Sequence, residues 1–208
     1  FVENPLFLGG VHKSGTTLLR NLLDGHSMIL TLPTDGLGFR WFRTLESSDP
    51  SASEREVYAK LARSLIAPMP GVQPTWILGD NVEAYAGFAR SFLEWRHEFR
   101  NDRNGLLKAA VSAFYVASQS AAAGRKIAWA DKSTANIENA GRLSTLFPRA
   151  RFIHITRHPA SVIAAQKKKQ PQKGKTFGLL GEIAMLQRGM MVGIDNCRRL
   201  GKDRYQMI

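Results

Sequence analysis

The sequence predicts an α/β domain, a three-layer sandwich whose central parallel sheet is covered by helices on both faces. Three observations point there. Short apolar runs of strand length alternate with longer stretches of helical spacing along the 208 residues, the pattern of parallel strands joined by crossover helices. A glycine-rich turn, G-G-V-H-K-S-G-T-T-L-L at 9–19, joins the first strand-like run to the first helical one. Arg157 stands where a later apolar run gives way to a helix signal.

The elements follow in order. Residues 5–11 (P-L-F-L-G-G-V) read as a short buried strand, and 16–23 (T-T-L-L-R-N-L-L) space their apolar residues as a helix. Residues 32–42 form a loop punctuated by Pro and Gly. Helical stretches are predicted over 53–66, 81–99 and 105–123, with Pro68, Pro70, Gly71 and Pro74 breaking the chain between the first two. Residues 127–130 (I-A-W-A) are a short strand, and 136–147 a helix that Pro148 stops. Residues 151–156 (R-F-I-H-I-T) are a strand, after which Pro159 occupies the first helical position of a helix over 160–168. Residues 171–175 are polar and basic and read as a mobile loop, followed by a long helix over 177–200 and a strand at 205–208. There is no repeat, low-complexity block or linker, so residues 1–208 are expected to form one domain. The sequence starts and stops inside strand-like runs, from which flanks are expected, the C-terminal one above all.

Composition narrows the partners. Hydrophobic content of 44% with 22% charged residues is that of a globular domain. Lys and Arg number 29 against 17 Asp and Glu, a net charge of +12. Such an excess suits an anionic partner: a nucleotide, a nucleic acid, an acidic polymer or an anionic membrane surface. It equally suits a solvated basic surface. Cys197 is the single cysteine, which excludes an intrachain disulfide and zinc sites built on several thiolates. No Asn-x-Ser/Thr sequon occurs, and no apolar run approaches the ~20 residues of a spanning helix. F-V-E-N-P-L-F-L at the start is too short and too acidic for a signal peptide. A reducing, cytoplasmic setting is the simplest expectation, although a chain trimmed of an anchor would read the same way.

In a parallel sheet, ligands bind where strand ends meet helix N-termini. The 9–19 turn is therefore the first candidate site. Backbone N–H groups at a helix start lack intrahelical partners and, with the helix dipole, favour an anion. Gly15 would let a phosphate approach the backbone, Thr16 and Thr17 offer hydroxyls, and Lys13 offers charge. A nucleoside triphosphate loop would place its lysine after the last glycine; here Gly15-Thr16-Thr17 stands instead, with the lysine two residues early. One 5′-phosphate bearing a small anionic group suits this order better. The second candidate is Arg157, whose guanidinium could clamp a phosphate. Each feature has a plainer reading, a ligand-free glycine turn and an arginine paired to a structural carboxylate.

Taken together, these segments resemble the sulfotransferases that use 3′-phosphoadenosine 5′-phosphosulfate (PAPS). Their first motif resembles K-S-G-T-T-L-L at 13–19 with L-L-D-G-H at 22–26, their middle motif D-K-S at 131–133, and their second phosphate motif L-F-P-R-A-R-F-I-H-I-T-R-H-P at 146–159. The terminal R-Y-Q-M-I resembles the strand that precedes a further family motif. The likeness leans to the bacterial-type and tyrosylprotein-like branch and is loose over 46–124. It implies a fold like that of P-loop NTPases. It implies that Lys13, Ser14, Gly15, Thr16 and Thr17 hold the 5′-phosphosulfate and that Arg157 contacts the 3′-phosphate. The family serine eight residues after that arginine is Ala165 here; Ser161, one turn earlier, or a charge from Lys167, Lys168 or Lys169 would have to substitute.

The reaction so implied is sulfuryl transfer to a hydroxyl or amine, without a metal. Such a step is mostly alignment and electrostatic stabilisation. Lys13 and Lys132 would stabilise charge on the leaving oxygen. A general base must take the acceptor proton. The family position falls ungapped on Thr34, so the adjacent Asp35 is the candidate, although T-D-G also reads as a turn. His12 and His26 are alternatives, His26 reading equally as a helix-end residue. Trp41, Phe39 and Phe42 would line an acceptor pocket or pack in the core; Trp76, Trp95 and Trp129 read as core. The acceptor class, whether carbohydrate, phenol, lipid or peptide tyrosine, is not encoded in these motifs. Two other readings compete. A P-loop kinase or nucleotide hydrolase shares the layout but lacks Gly-Lys. A non-catalytic nucleic-acid-binding module shares the charge, yet no helix-turn-helix, zinc finger or aromatic RNA motif is present, so no nucleic acid is expected.

Overall fold

The computed structural model describes residues 1–33, 35–38, 41, 43, 53, 56–57, 82–102, 104–118, 125–172, 174 and 176–208. Five strands form one sheet: β1 (Pro5–Gly9), β2 (Ile29–Thr31), β3 (Ala128–Lys132), β4 (Arg151–His154) and β5 (Tyr205–Met207). Their order is β2-β3-β1-β4-β5, and every pairing is parallel. The described helices are α1 (Thr16–Leu23), α2 (Val82–Glu98), α3 (Gly105–Ala117), α4 (Ala135–Glu138), α5 (Ala140–Leu146), α6 (Pro159–Gln172) and α7 (Leu179–Leu200). The architecture is the α/β arrangement expected, a central all-parallel sheet flanked by helices. No described helix is long and apolar enough to cross a membrane.

The strands form because they are short apolar runs that a covered parallel sheet can bury on both sides. In β1, only Leu6 is less than fully buried. A ladder of rings crosses four strands: Trp129 lies edge-on to Phe7 at 5.7 Å, Phe7 stacks on Phe152 at 5.3 Å, and Phe152 stacks on Tyr205 at 5.8 Å. Such pairs contribute about 0.5–1.5 kcal/mol each beyond area burial. A second part of the core lies between α2 and α3, where the fully buried Trp41 packs on Phe88 and Phe114. Trp129 is likewise core, and the partly buried Trp95 packs against the core cluster.

Several boundaries differ from the sequence reading. β2 was not foreseen; it is three residues long and sits at the sheet edge beside β3. β3 runs two residues further than expected, through Asp131 and Lys132, because those side chains are buried at the strand's end. The helix expected over 136–147 is two short ones that break at Asn139, whose side-chain amide donates to the Ala135 carbonyl at 2.9 Å. A side chain that bonds nearby backbone in this way competes with a continuous helix. The segment expected as a loop from 171 is still helical to Gln172; Pro171 is tolerated there because it lies in the last turn. The expected helix over 53–66 falls largely outside the described residues, as do Thr34, Phe39, Phe42, the 68–74 breaks, Trp76, residues 119–123, Lys173 and Lys175.

Candidate functional site

Parallel pairing sends the last residues of all the strands to one edge of the sheet. β1 lies between β3 and β4, so the chain leaves it on one side and later returns on the other, the arrangement that opens a crevice at strand ends. Three segments meet at that crevice.

The first is the β1–α1 turn. Gly10 takes φ +152, and a Cβ there would stand 2.4 Å from the Ile155 carbonyl oxygen, so the turn can press against β4 only with glycine. Lys13 adopts the left-handed conformation, φ 67, which is uncommon for a side-chain-bearing residue and marks a constrained backbone. Ser14 is buried, and its hydroxyl donates to the Val11 carbonyl at 2.8 Å. Helix α1 opens after Gly15, its first backbone bond running from the Leu19 N–H to the Gly15 carbonyl at 3.0 Å.

The second segment is the end of β3. Asp131 is fully buried; its Oδ1 accepts from the Gly38 N–H at 2.9 Å and its Oδ2 from the Asn136 amide at 3.1 Å. The Gly36 N–H donates to the Lys132 carbonyl at 2.7 Å. Together these bonds tie the 35–38 turn to the strand. The turn carries Asp35, whose Oδ1 accepts from the Lys132 ammonium. Lys132 is 4% exposed, so its charge is matched by this carboxylate.

The third segment follows β4. The Ile155 N–H donates to the Gly9 carbonyl at 2.9 Å, extending the β1 pairing past the strand. Arg157 then reaches back, and its guanidinium donates to the Lys13 carbonyl at 3.3 Å. Two residues far apart in sequence are thereby neighbours.

These segments enclose a cavity of about 740 Å³, within the range of small-molecule sites. Lys13, Gly15, Thr16, Thr17, Asp35, Lys132 and Arg157 line it, as do His12 and Lys169. Ser14 and Ser161 are not on its lining. Four cationic side chains, Lys13, Lys132, Lys169 and Arg157, face two carboxylates, Asp35 and Glu182, so the cavity is net positive. His26 lies at the opposite edge, beside the first residues of β1, β2 and β3, where its Nδ1 accepts from the Met28 N–H at 3.1 Å. That position removes it from the alternatives for a base acting in this cavity. His154, at the end of β4, is buried 3.0 Å from the Tyr205 hydroxyl, and burial lowers its pKa to about 4 while raising that of Tyr205 to about 12. The pair braces the sheet behind the turn, since neither residue lines the cavity.

Sequence reasoning missed Asp131 as the anchor of the Asp35 turn, although an acid inside an apolar strand was a signal. It also missed Gln166, Gln170 and Glu182, which line the cavity from α6 and α7; no local pattern marks a helical residue as facing a distant turn.

The fold and cavity define a parallel α/β protein with a cationic cleft at its strand ends. The chain matches the model of the sulfotransferase family over residues 5–208 and belongs to that family. No curated protein matches it. Membership supports a transferase of the sulfotransferase kind.

Proposed function

We propose that this chain transfers a sulfuryl group from PAPS to a hydroxyl or amine acceptor. The observation that carries the reading is the contact of Arg157 with the lysine-bearing turn, which makes one cationic cavity out of the two candidate anion devices. Sulfotransferases generally draw their sulfuryl group from PAPS. The cavity fits such a nucleotide in size and in sign of charge.

In this reading, Gly15, Thr16 and Thr17 hold the 5′-phosphosulfate at the start of α1, with Ser14 shaping the turn beneath them. Arg157 holds the 3′-phosphate. Lys169, on the cavity wall, supplies a charge in place of the serine that Ala165 lacks, with Ser161 outside the lining. PAPS, when bound, supplies an activated sulfuryl group on an anionic leaving phosphate. Lys13 and Lys132 place positive charge where negative charge grows during transfer, which lowers the barrier most in a partly desolvated site. Asp35 takes the acceptor proton; Lys132 holds its carboxylate in place. Two groups thus share one ion pair, and removing either disturbs the other.

Calorimetry with 3′-phosphoadenosine 5′-phosphate (PAP), against ATP with Mg²⁺, tests the reading. PAP should bind, and Arg157→Ala should weaken it about 10- to 100-fold, the size of a lost charge-assisted contact. Preference for ATP, or PAP binding indifferent to Arg157, overturns it. With an acceptor in hand, Asp35→Asn should reduce turnover while PAP affinity holds; unchanged turnover removes Asp35 as the base.

A further inference from the structure

Glu182 has no part in the reading above, yet it stands in the same cavity wall. It belongs to the first turn of α7 and is 7% exposed. Its Oε1 accepts from the side-chain amide of Gln170, near the end of α6. Its Oε2 is shielded from solvent and has no hydrogen-bond partner among the described residues; the same holds for Gln170 Oε1. Two acceptor oxygens thus share one part of the wall without a donor. Buried acceptors are nearly always satisfied, because an unmade bond forfeits the hydration that burial removed.

The charges sharpen the point. Asp35, the other carboxylate on the lining, is matched by Lys132. Glu182 has no ion-pair partner among the described residues. An acid in the first turn of a helix also favours the helix dipole, but an exposed side chain would serve that purpose equally. Nothing in the dipole effect calls for burial, for a cavity-facing position or for a second unpartnered oxygen on the neighbouring helix.

We propose that Glu182 and Gln170 form a subsite that recognises a hydrogen-bond donor, an ammonium or hydroxyl group, on a molecule bound in this cavity. The inference rests on the cavity being a ligand site and deepens the proposed function by assigning chemistry to its acceptor-lined part. The donor could come from the adenosine portion of the nucleotide or from the sulfuryl acceptor. Both present the same chemistry to a carboxylate, and the test separates them.

Glu182→Gln and Glu182→Met are compared with wild type in the full chain. Thermal unfolding comes first and checks that both variants fold: Glu182→Gln keeps an acceptor for the Gln170 amide, whereas Glu182→Met removes that acceptor together with the buried charge. PAP affinity is then measured by calorimetry. Tyramine and tyrosol, each against 4-ethylphenol, are measured on the free protein by ligand-observed NMR. If the nucleotide supplies the donor, Glu182→Met weakens PAP about tenfold or more, the size of a lost bond to a charged group. If the acceptor supplies it, PAP affinity is unchanged. Wild type then prefers tyramine or tyrosol over 4-ethylphenol by about fivefold or more, and the preference disappears in Glu182→Met. Unchanged PAP affinity overturns the subsite if wild type shows no such preference or if the preference survives both substitutions. Should wild type bind no PAP, the sulfotransferase reading fails, while the amine and alcohol probes still decide the subsite.

Discussion

Asp131→Asn is the most informative single perturbation of the scaffold, because it keeps volume and shape and exchanges one acceptor for a donor. The carboxylate is fully buried and accepts from the Gly38 N–H at 2.9 Å and the Asn136 amide at 3.1 Å. If the new amide oxygen stays on Gly38, its NH₂ faces the Asn136 NH₂. Asn136 cannot simply turn over. Its nitrogen also donates to the Leu8 carbonyl at 3.2 Å and the Asp131 carbonyl at 3.0 Å. Its Oδ1, unpartnered among the described residues, would gain the new donor, but two carbonyls would lose this amide, the Leu8 carbonyl keeping the Ser133 N–H at 3.0 Å. The net loss is one charge-assisted bond and a buried mismatch, about 2–4 kcal/mol. For a domain of this size, each kcal/mol shifts Tm by about 2–4 °C, so the variant should melt about 5–15 °C below wild type. Circular-dichroism melts read this directly, and Asp131→Ala, which also opens a void, should fall further. An Asp131→Asn protein that melts within 2 °C of wild type would refute the idea that this carboxylate pins the Asp35 turn to β3.

Two further outcomes follow from packing and titration. On α7, a methyl at Gly193 would meet His154 Nδ1 at 2.5 Å and Met207 Cε at 2.9 Å, whereas one at Gly181 meets nothing within 4 Å. Gly193→Ala should therefore cost about 1–3 kcal/mol and Gly181→Ala should be neutral or gain up to about 1 kcal/mol, both by urea denaturation; equal effects would contradict the flush packing of α7 on β4. His154 has its folded pKa lowered by burial to about 4 from 6.5. The unfolded chain binds that proton first as pH falls, so the stabilisation is complete above pH 6.5 and is lost between about 6.5 and 4, at most about 3 kcal/mol. Urea midpoints at pH 7.5 and 4.5 should differ accordingly, and the difference should shrink in His154→Gln; an unchanged difference would assign the pH dependence elsewhere.

The sheet was legible because parallel strands buried on both faces leave continuous apolar runs, as in β1 and β4. The same physics hid β2. Three residues at an edge carry too little pattern, and they become a strand only because β3 offers them a partner. Asp131 and Lys132 looked like the start of a loop, since polar residues ordinarily end a strand; the bonds that Asp131 accepts from Gly38 and Asn136 and that Lys132 donates to Asp35 override that tendency. At the candidate site, the turn at 13–17 and Arg157 could be singled out because glycine placement and strand-end position are local signals. Glu182 and Gln170 could not, because their role depends on where α6 and α7 lie in space. The exposed Leu18 and Leu22 on α1 show the limit from the other side: helical spacing forecast the helix correctly, yet not which of its residues would be covered.

Lys13 and Arg157 are 144 residues apart along the chain and touch where the neighbouring strands β1 and β4 end. On the proposed reading, no short fragment would therefore carry the binding function, and a growing polypeptide would gain it only after β4 has docked beside β1. An anion held at that junction acts as a clasp on the whole sheet. At a hundredfold excess over its Kd it would add about 2.7 kcal/mol of stability by mass action alone, so protection from proteolysis would track occupancy even far from the cleft.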